Sequence, residues 1–162
     1  MKITAILPQQ FHPERVNVFV DGEFRLGLAA ELVLAEPLRV GDEVDEARLA
    51  ALEAKDRGWK ARDAALSLLS HRARSAAELT RRLRRKGYDD EVAEETVGRL
   101  GELGMVDDAA FAESFVRDRV RLRPQGRRRL ASELRAKGVD AETASAAIGE
   151  VMAREDASEL DL

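Results

Sequence analysis

Cysteine is absent from the 162-residue chain, which excludes disulfides and thiolate metal sites. Only two histidines are present, His12 and His71. Neither stands near a nucleophile or a metal-like set of residues, so both read as structural. The longest apolar runs are a few residues long, far short of the roughly 20 a membrane helix needs. The first twenty residues lack the charged-then-apolar pattern of a secretory leader. There is no phosphate-cradling loop: GDEVDE (41–46) has neither the P-loop lysine nor the dinucleotide-binding glycine spacing. Asp107-Asp108 is a pair of carboxylates, but a helix start accounts for both. Together these absences argue against an enzyme, a metal or a cofactor, and lead us to expect a soluble, cytoplasmic protein.

What the chain has in quantity is charge. Charged residues make up 36% of it and aromatic residues only 4%, with 44% apolar, a composition that reads as helix-rich and heavily solvated. The net charge of −4 hides a block layout. Residues 57–86 hold 10 basic and 2 acidic side chains, 89–113 hold 1 and 9, 117–137 hold 9 and 2, and 138–162 hold 1 and 7. Of the 27 basic residues 22 are arginine, whose planar fork suits phosphate or carboxylate better than simple solubility requires.

The N-terminal region carries strand signals. ITAIL (3–7) is a short apolar run. VNVFV (16–20) and EFRLGL (23–28) flank Asp21-Gly22, a strong hairpin signal. A strict two-residue loop pairs Phe19 with Phe24 and Asn17 with Leu26. A loop one residue longer sets Val16, Val18 and Val20 opposite Leu28, Leu26 and Phe24 with one shared apolar face, the arrangement favoured here because burial usually sets register. A bulge after the turn reconciles the two. AAELVLAE (29–36) suits a short helix stopped by Pro37. Asp45 is a candidate N-cap for a helix through ARLAALEAK, and Gly58 either breaks that helix or lies inside a longer one reaching Leu69.

From about residue 60 the pattern is helical and repeats. LTRRLRRKGYDDE (79–91) aligns with LASELRAKGVDAE (130–142) at an offset of 51, and the match extends through Ala93/Ala144, Val97/Ile148 and Leu100/Val151. Such a period points to stacked helical units. In the first unit, 61–73 is the opening helix. Ser75-x-x-Glu78 is a capping box for the second helix, and Gly87 ends it. Asp89 caps a third helix that runs to Leu103 before Gly104. The second unit has Asp107 as cap, Phe111 and Phe115 in its first helix, Pro124-Gln125-Gly126 as a break, then Gly138 and Asp140. The spaced leucines read as core.

On a helix over 76–86, Ala76, Leu79 and Leu83 form an apolar stripe. Arg81, Arg84 and Arg85 fall opposite it, with Arg82 and Lys86 beside it. In the second unit Arg128 and Arg135 point away from Leu130 and Leu134, and Arg117, Arg119, Arg121, Arg123 and Arg127 precede them. One account makes these solvated faces tied to neighbouring acidic helices, each surface pair contributing about 0–1 kcal/mol. A surface that meets phosphates or an acidic protein explains better why the same segments of both units are basic and nearly free of acids.

The hairpin VNVFVDGEFRLGL, then Ala64, Leu68, Arg72, Ser75-x-x-Glu78-Leu79, Leu83, Lys86-Gly87, Leu100, Gly104, Asp107-Asp108, Phe111-Ala112, Leu134 and Lys137-Gly138, taken in order, resemble the RecX family of RecA regulators. The resemblance implies a mainly α fold of tandem three-helix, helix-turn-helix-like repeats, elongated and modular, with a small N-terminal β element. It implies a non-enzymatic partner of RecA or the RecA–DNA filament that inhibits ATP hydrolysis, strand exchange and co-protease activity in recombination, repair and the SOS response. On this reading residues 1–58 form the hairpin region, 59–106 and 107–153 the two repeats, and 154–162 an acidic tail or the start of an absent third repeat. The family commonly has three. The expected RecA- or DNA-contacting residues are Arg72, Arg74, Arg81, Arg84, Arg85 and Lys86, with Arg117, Arg121, Arg123, Arg127, Arg128, Arg135 and Lys137. The protein is expected to be a monomer. A DNA-binding module without RecA and a scaffold gripping acidic partners remain as alternatives.

Overall fold

The computed structural model describes residues 1–122 and 126–160. The chain divides into two compact units, Met1–Asp63 and Ala64–Leu162.

In the first unit, β1 (Ile3–Pro8), β2 (Arg15–Val20) and β3 (Glu23–Ala29) form an antiparallel sheet in that order. Asp21 and Gly22 both adopt positive φ, 50° and 84°, as a primed hairpin turn requires. That turn imposes Val20↔Glu23 and Phe19↔Phe24; the register then shifts, and Val18 faces Leu26 and Val16 faces Leu28. Arg25 is therefore the extra residue of a β-bulge. Turn chemistry sets the first two pairs and the apolar face sets the rest, so the Val20–Phe24 pairing expected from a longer loop does not form. The outcome buries Val18, Val20, Leu26 and Leu28 with Ile3, with Leu32 of α1 (Ala30–Ala35), and with Leu49 and Leu52 of α2 (Glu46–His71).

Asp45 starts α2, its carboxylate accepting from the Arg48 amide at 2.7 Å. The helix runs 26 residues straight through Gly58. The opening helix expected over 61–73 is thus the last part of a longer one, and the unit boundary falls within α2. An internal glycine costs about 1 kcal/mol against alanine, less than the packing on either side of it. A buried knot holds α2 to the hairpin. Asp56 is 3% exposed; its Oδ2 accepts from Arg15 at 2.7 Å and its Oδ1 from the Ala29 amide at 2.9 Å.

In the second unit, α3 (Ala76–Arg85) and α4 (Asp90–Glu102) pack on the C-terminal part of α2 around Ala65, Leu68, Leu79, Leu83, Ala93, Val97 and Leu100. The helices α5 (Asp108–Leu122), α6 (Arg127–Ala136) and α7 (Ala141–Leu160) repeat the plan around Val116, Leu130, Leu134, Ala144, Ile148 and Val151. The matched repeat positions are thus the cores, and burying each leucine contributes about 1.5–3 kcal/mol. The caps lie where the sequence puts them. Ser75 and Glu78 form the capping box, and Asp89, Asp107 and Asp140 accept from the amides of Val92, Ala110 and Thr143. Gly87, Gly104 and Gly138 have φ of 103°, 77° and 82°. Residues 154–160, expected as a tail or the start of another repeat, continue α7. Arg123 and the expected break at Pro124-Gln125 lie outside the described residues.

Candidate functional site

The second unit is built around a joint between its two repeats. The Ser75 hydroxyl donates to the Lys137 carbonyl. The Ala76 amide donates to Asp108 Oδ1 at 2.8 Å, so Asp108 caps α3 from another helix. A Cβ added at Gly138 would lie 2.2 Å from the Ala77 Cβ. The small first turn of α3 thus receives the α6–α7 turn in direct contact, and this joint fixes where the basic residues stand.

Around it the expected site residues separate by partner. Arg72 bonds Glu78 Oε2 at 2.7 Å and the Ala73 carbonyl at 3.0 Å. Arg74 is partly buried with its Nε on the Leu68 carbonyl at 3.3 Å; burial, with the charges of Arg72 and Arg82, lowers its pKa. Arg84 lies exposed on the side opposite the apolar stripe and bridges to α4 through Asp90 at 2.7 Å and Glu94 at 3.2 Å, a pairing with a neighbouring acidic helix. Lys137 sits 5.8 Å over the Phe115 ring.

The others face solvent. Among the described residues Arg81 bonds the Ala136 carbonyl, at 3.5 Å. Arg85 and Lys86, on the last turn of α3 and its cap, are exposed. Arg117 and Arg121 on α5, and Arg127, Arg128 and Arg135 on α6, are likewise exposed. None of these residues makes an ion pair among the described residues. Arg119 and Arg129, by contrast, share Glu133. The structure therefore leaves guanidinium groups on α3, α5 and α6 without ion pairs among the described residues, while Arg72, Arg74 and Arg84 each bond within the chain. Sequence reasoning missed that Arg129, Arg127 and Arg128 occupy the repeat positions of Glu78, Ala76 and Ala77. Where the first repeat has a capping box and a docking surface, the second has three exposed arginines and a Gly126 N-cap without a side-chain bond.

Family models match in chain order: the regulatory protein RecX N-terminal domain over residues 1–45, the first RecX three-helix domain over 61–100 and the second over 107–148. A regulatory protein RecX from Clostridioides difficile is 30% identical over 149 residues, covering 92% of this chain and 70% of that protein. The chain belongs to the RecX family. One RecX relative, from Clostridium botulinum strain Alaska E43, is 35% identical over 138 residues, 85% of this chain, and this chain spans 64% of its length. Another, from Mycobacteroides abscessus, is 50% identical over 86 residues, covering 53% of this chain and 42% of that protein. A crystal structure of a regulatory protein RecX superposes with a TM-score of 0.83 at 27% identity, over 92% of this chain and 73% of the other. RecX relatives are thus named as regulatory proteins. Among the described residues, no helix is long and apolar enough to cross a membrane and no cluster is suited to a metal ion.

Proposed function

We propose that this RecX-family chain binds RecA or the RecA–DNA filament and modulates it, inhibiting ATP hydrolysis, strand exchange and co-protease activity without catalysing a reaction itself. It does so as a cytoplasmic monomer. The supporting observation is the conjunction of RecX domains in order with exposed arginines on α3, α5 and α6 that have no ion-pair partner among the described residues. Unpaired guanidinium groups grip carboxylates or phosphates through charge-assisted, bidentate bonds. A protein that binds one state of a filament more tightly than another shifts the filament toward that state, which lowers hydrolysis without any active site.

The test is ATP hydrolysis by RecA on single-stranded DNA with increasing amounts of this chain. Hydrolysis falls at or below one copy per RecA. Unchanged hydrolysis at saturation, with DNA binding retained, replaces this reading with that of a general DNA-binding repeat module, which the same unpaired arginines would serve.

A further inference from the structure

The first unit contains a cleft of about 390 Å³ between the bulged end of the hairpin and one face of α2. That volume is in the range of small-ligand sites, about 300–1,000 Å³. Its charged lining is four cations, Arg15, Arg25, Arg57 and Lys60, against two carboxylates, Glu53 and Asp56. Asp56 is already satisfied: its two oxygens are taken by Arg15 and the Ala29 amide. Arg25, turned out as the extra residue of the bulge, pairs with Glu46. Lys60 stands 3.7 Å from Asp56, about half exposed. Arg57 makes no ion pair among the described residues. Being three apart, Arg57 and Lys60 lie on one side of the helix. The wall opposite is Phe24, 58% exposed and held edge-on by Phe19 at 6.0 Å. An exposed ring fixed by a neighbour, in a chain with only 4% aromatic residues, is an unusual thing to set beside cations.

We infer that this cleft binds single-stranded nucleic acid, with Arg57 and Lys60 holding backbone phosphates and Phe24 stacking a base. The combination selects that ligand class. A free phosphate gains nothing from an exposed ring, and a duplex keeps its bases stacked away from one. A single strand offers both a phosphate track and a π-face. Glu53, also without an ion pair among the described residues, opposes the ligand and limits its affinity. This site lies wholly within Met1–Asp63 and does not depend on the RecA reading, which rests on arginines of the second unit.

The test uses the full chain and two fluorescent probes, a short oligothymidylate and an abasic oligomer with the same number of phosphates. Phe24→Ala weakens the thymidylate about tenfold, the fold-change expected for the loss of one base–aromatic stack, and leaves the abasic oligomer unchanged. The double variant Arg57→Ala with Lys60→Ala weakens both, and Glu53→Gln tightens both. Photo-crosslinking an iodouracil-substituted oligomer, followed by peptide mapping, places the crosslink on Phe24. Crosslinks confined to residues 64–160, or affinities unmoved by both the Phe24 and the Arg57/Lys60 variants, overturn the proposal. Either result leaves the RecA hydrolysis assay to be judged by itself.

Discussion

Glu78 is the residue in which local and long-range structure meet. Its Oε1 accepts from the Ser75 amide at 3.5 Å and its Oε2 from Arg72 at 2.7 Å. Burial by itself pushes the carboxyl pKa up. The Arg72 hydrogen bond, the charges of Lys137 and Arg72 and the Ser75 amide together outweigh it, so the group lies below its ordinary value of 4.5. A carboxyl with a depressed folded pKa binds its proton more tightly when unfolded. Its contribution is therefore complete above the ordinary value and is lost as pH falls through the lowered folded value. On acidification below roughly pH 5, the wild-type chain loses stability more steeply than Glu78→Gln, as urea unfolding at neutral and acid pH will show. Equal slopes would mean that Arg72 and Lys137 do not reach this carboxylate in solution. Half of this arrangement is legible in the sequence, because the capping box Ser75–Glu78 spans only four residues. The other half is not. The Ser75 hydroxyl finds its acceptor 62 residues away, and nothing in either segment advertises the other.

Helices and turns show the same division. Repeat alignment locates Gly87 and Gly138 as equivalent helix ends, and both take left-handed backbone, φ 103° and 82°. Alignment does not reveal that a side chain at Gly87 would meet open space while one at Gly138 would meet Ala77 at 2.2 Å. Gly87→Ala thus bears only the left-handed backbone penalty, about 1–2 kcal/mol. Gly138→Ala adds the cost of overpacking the joint, about 1–3 kcal/mol more. Thermal or urea unfolding of the two variants measures the difference directly, and equal destabilisation would show that the repeats do not dock through this turn. The length of α2 is ambiguous in the sequence for a related reason. Gly58 weakens a helix by about 1 kcal/mol, a signal that burial of Leu52 and Asp56 before it and of Ala61, Ala65 and Leu68 after it easily overrides. The hairpin is readable further, since its two conflicting registers are both visible and a bulge is the one device that satisfies them.

Over the whole molecule, the alternating charge blocks sort into two populations. The acidic block at 89–113 supplies Asp90 and Glu94 to Arg84, which is why a net charge of −4 coexists with strongly basic helices. Yet one acidic helix does not neutralise all of its neighbour: Arg82 and Arg85, close to Arg84 in sequence, remain exposed without ion pairs among the described residues. Helical periodicity puts Arg84 and Arg85 opposite the apolar stripe and Arg82 beside it, and it cannot say which of them faces an acid. The difference separates stability from binding. Arg84→Ala removes a surface pair and costs about 0–1 kcal/mol in stability. It leaves the salt dependence of single-strand binding where it was, because a guanidinium held by Asp90 and Glu94 neutralises no phosphate and so displaces no counterion from the nucleic acid. The double variant Arg82→Ala with Arg85→Ala leaves stability unchanged and, where those groups meet phosphates, lowers the log–log salt slope by about 0.7 for each phosphate no longer neutralised. Binding titrations over a range of salt, paired with unfolding curves, read both quantities. A slope unmoved by the double variant, together with weakened inhibition of RecA hydrolysis, assigns this face to carboxylates of a protein partner instead of nucleic acid. A slope lowered equally by Arg84→Ala would mean that its bonds to α4 open on binding.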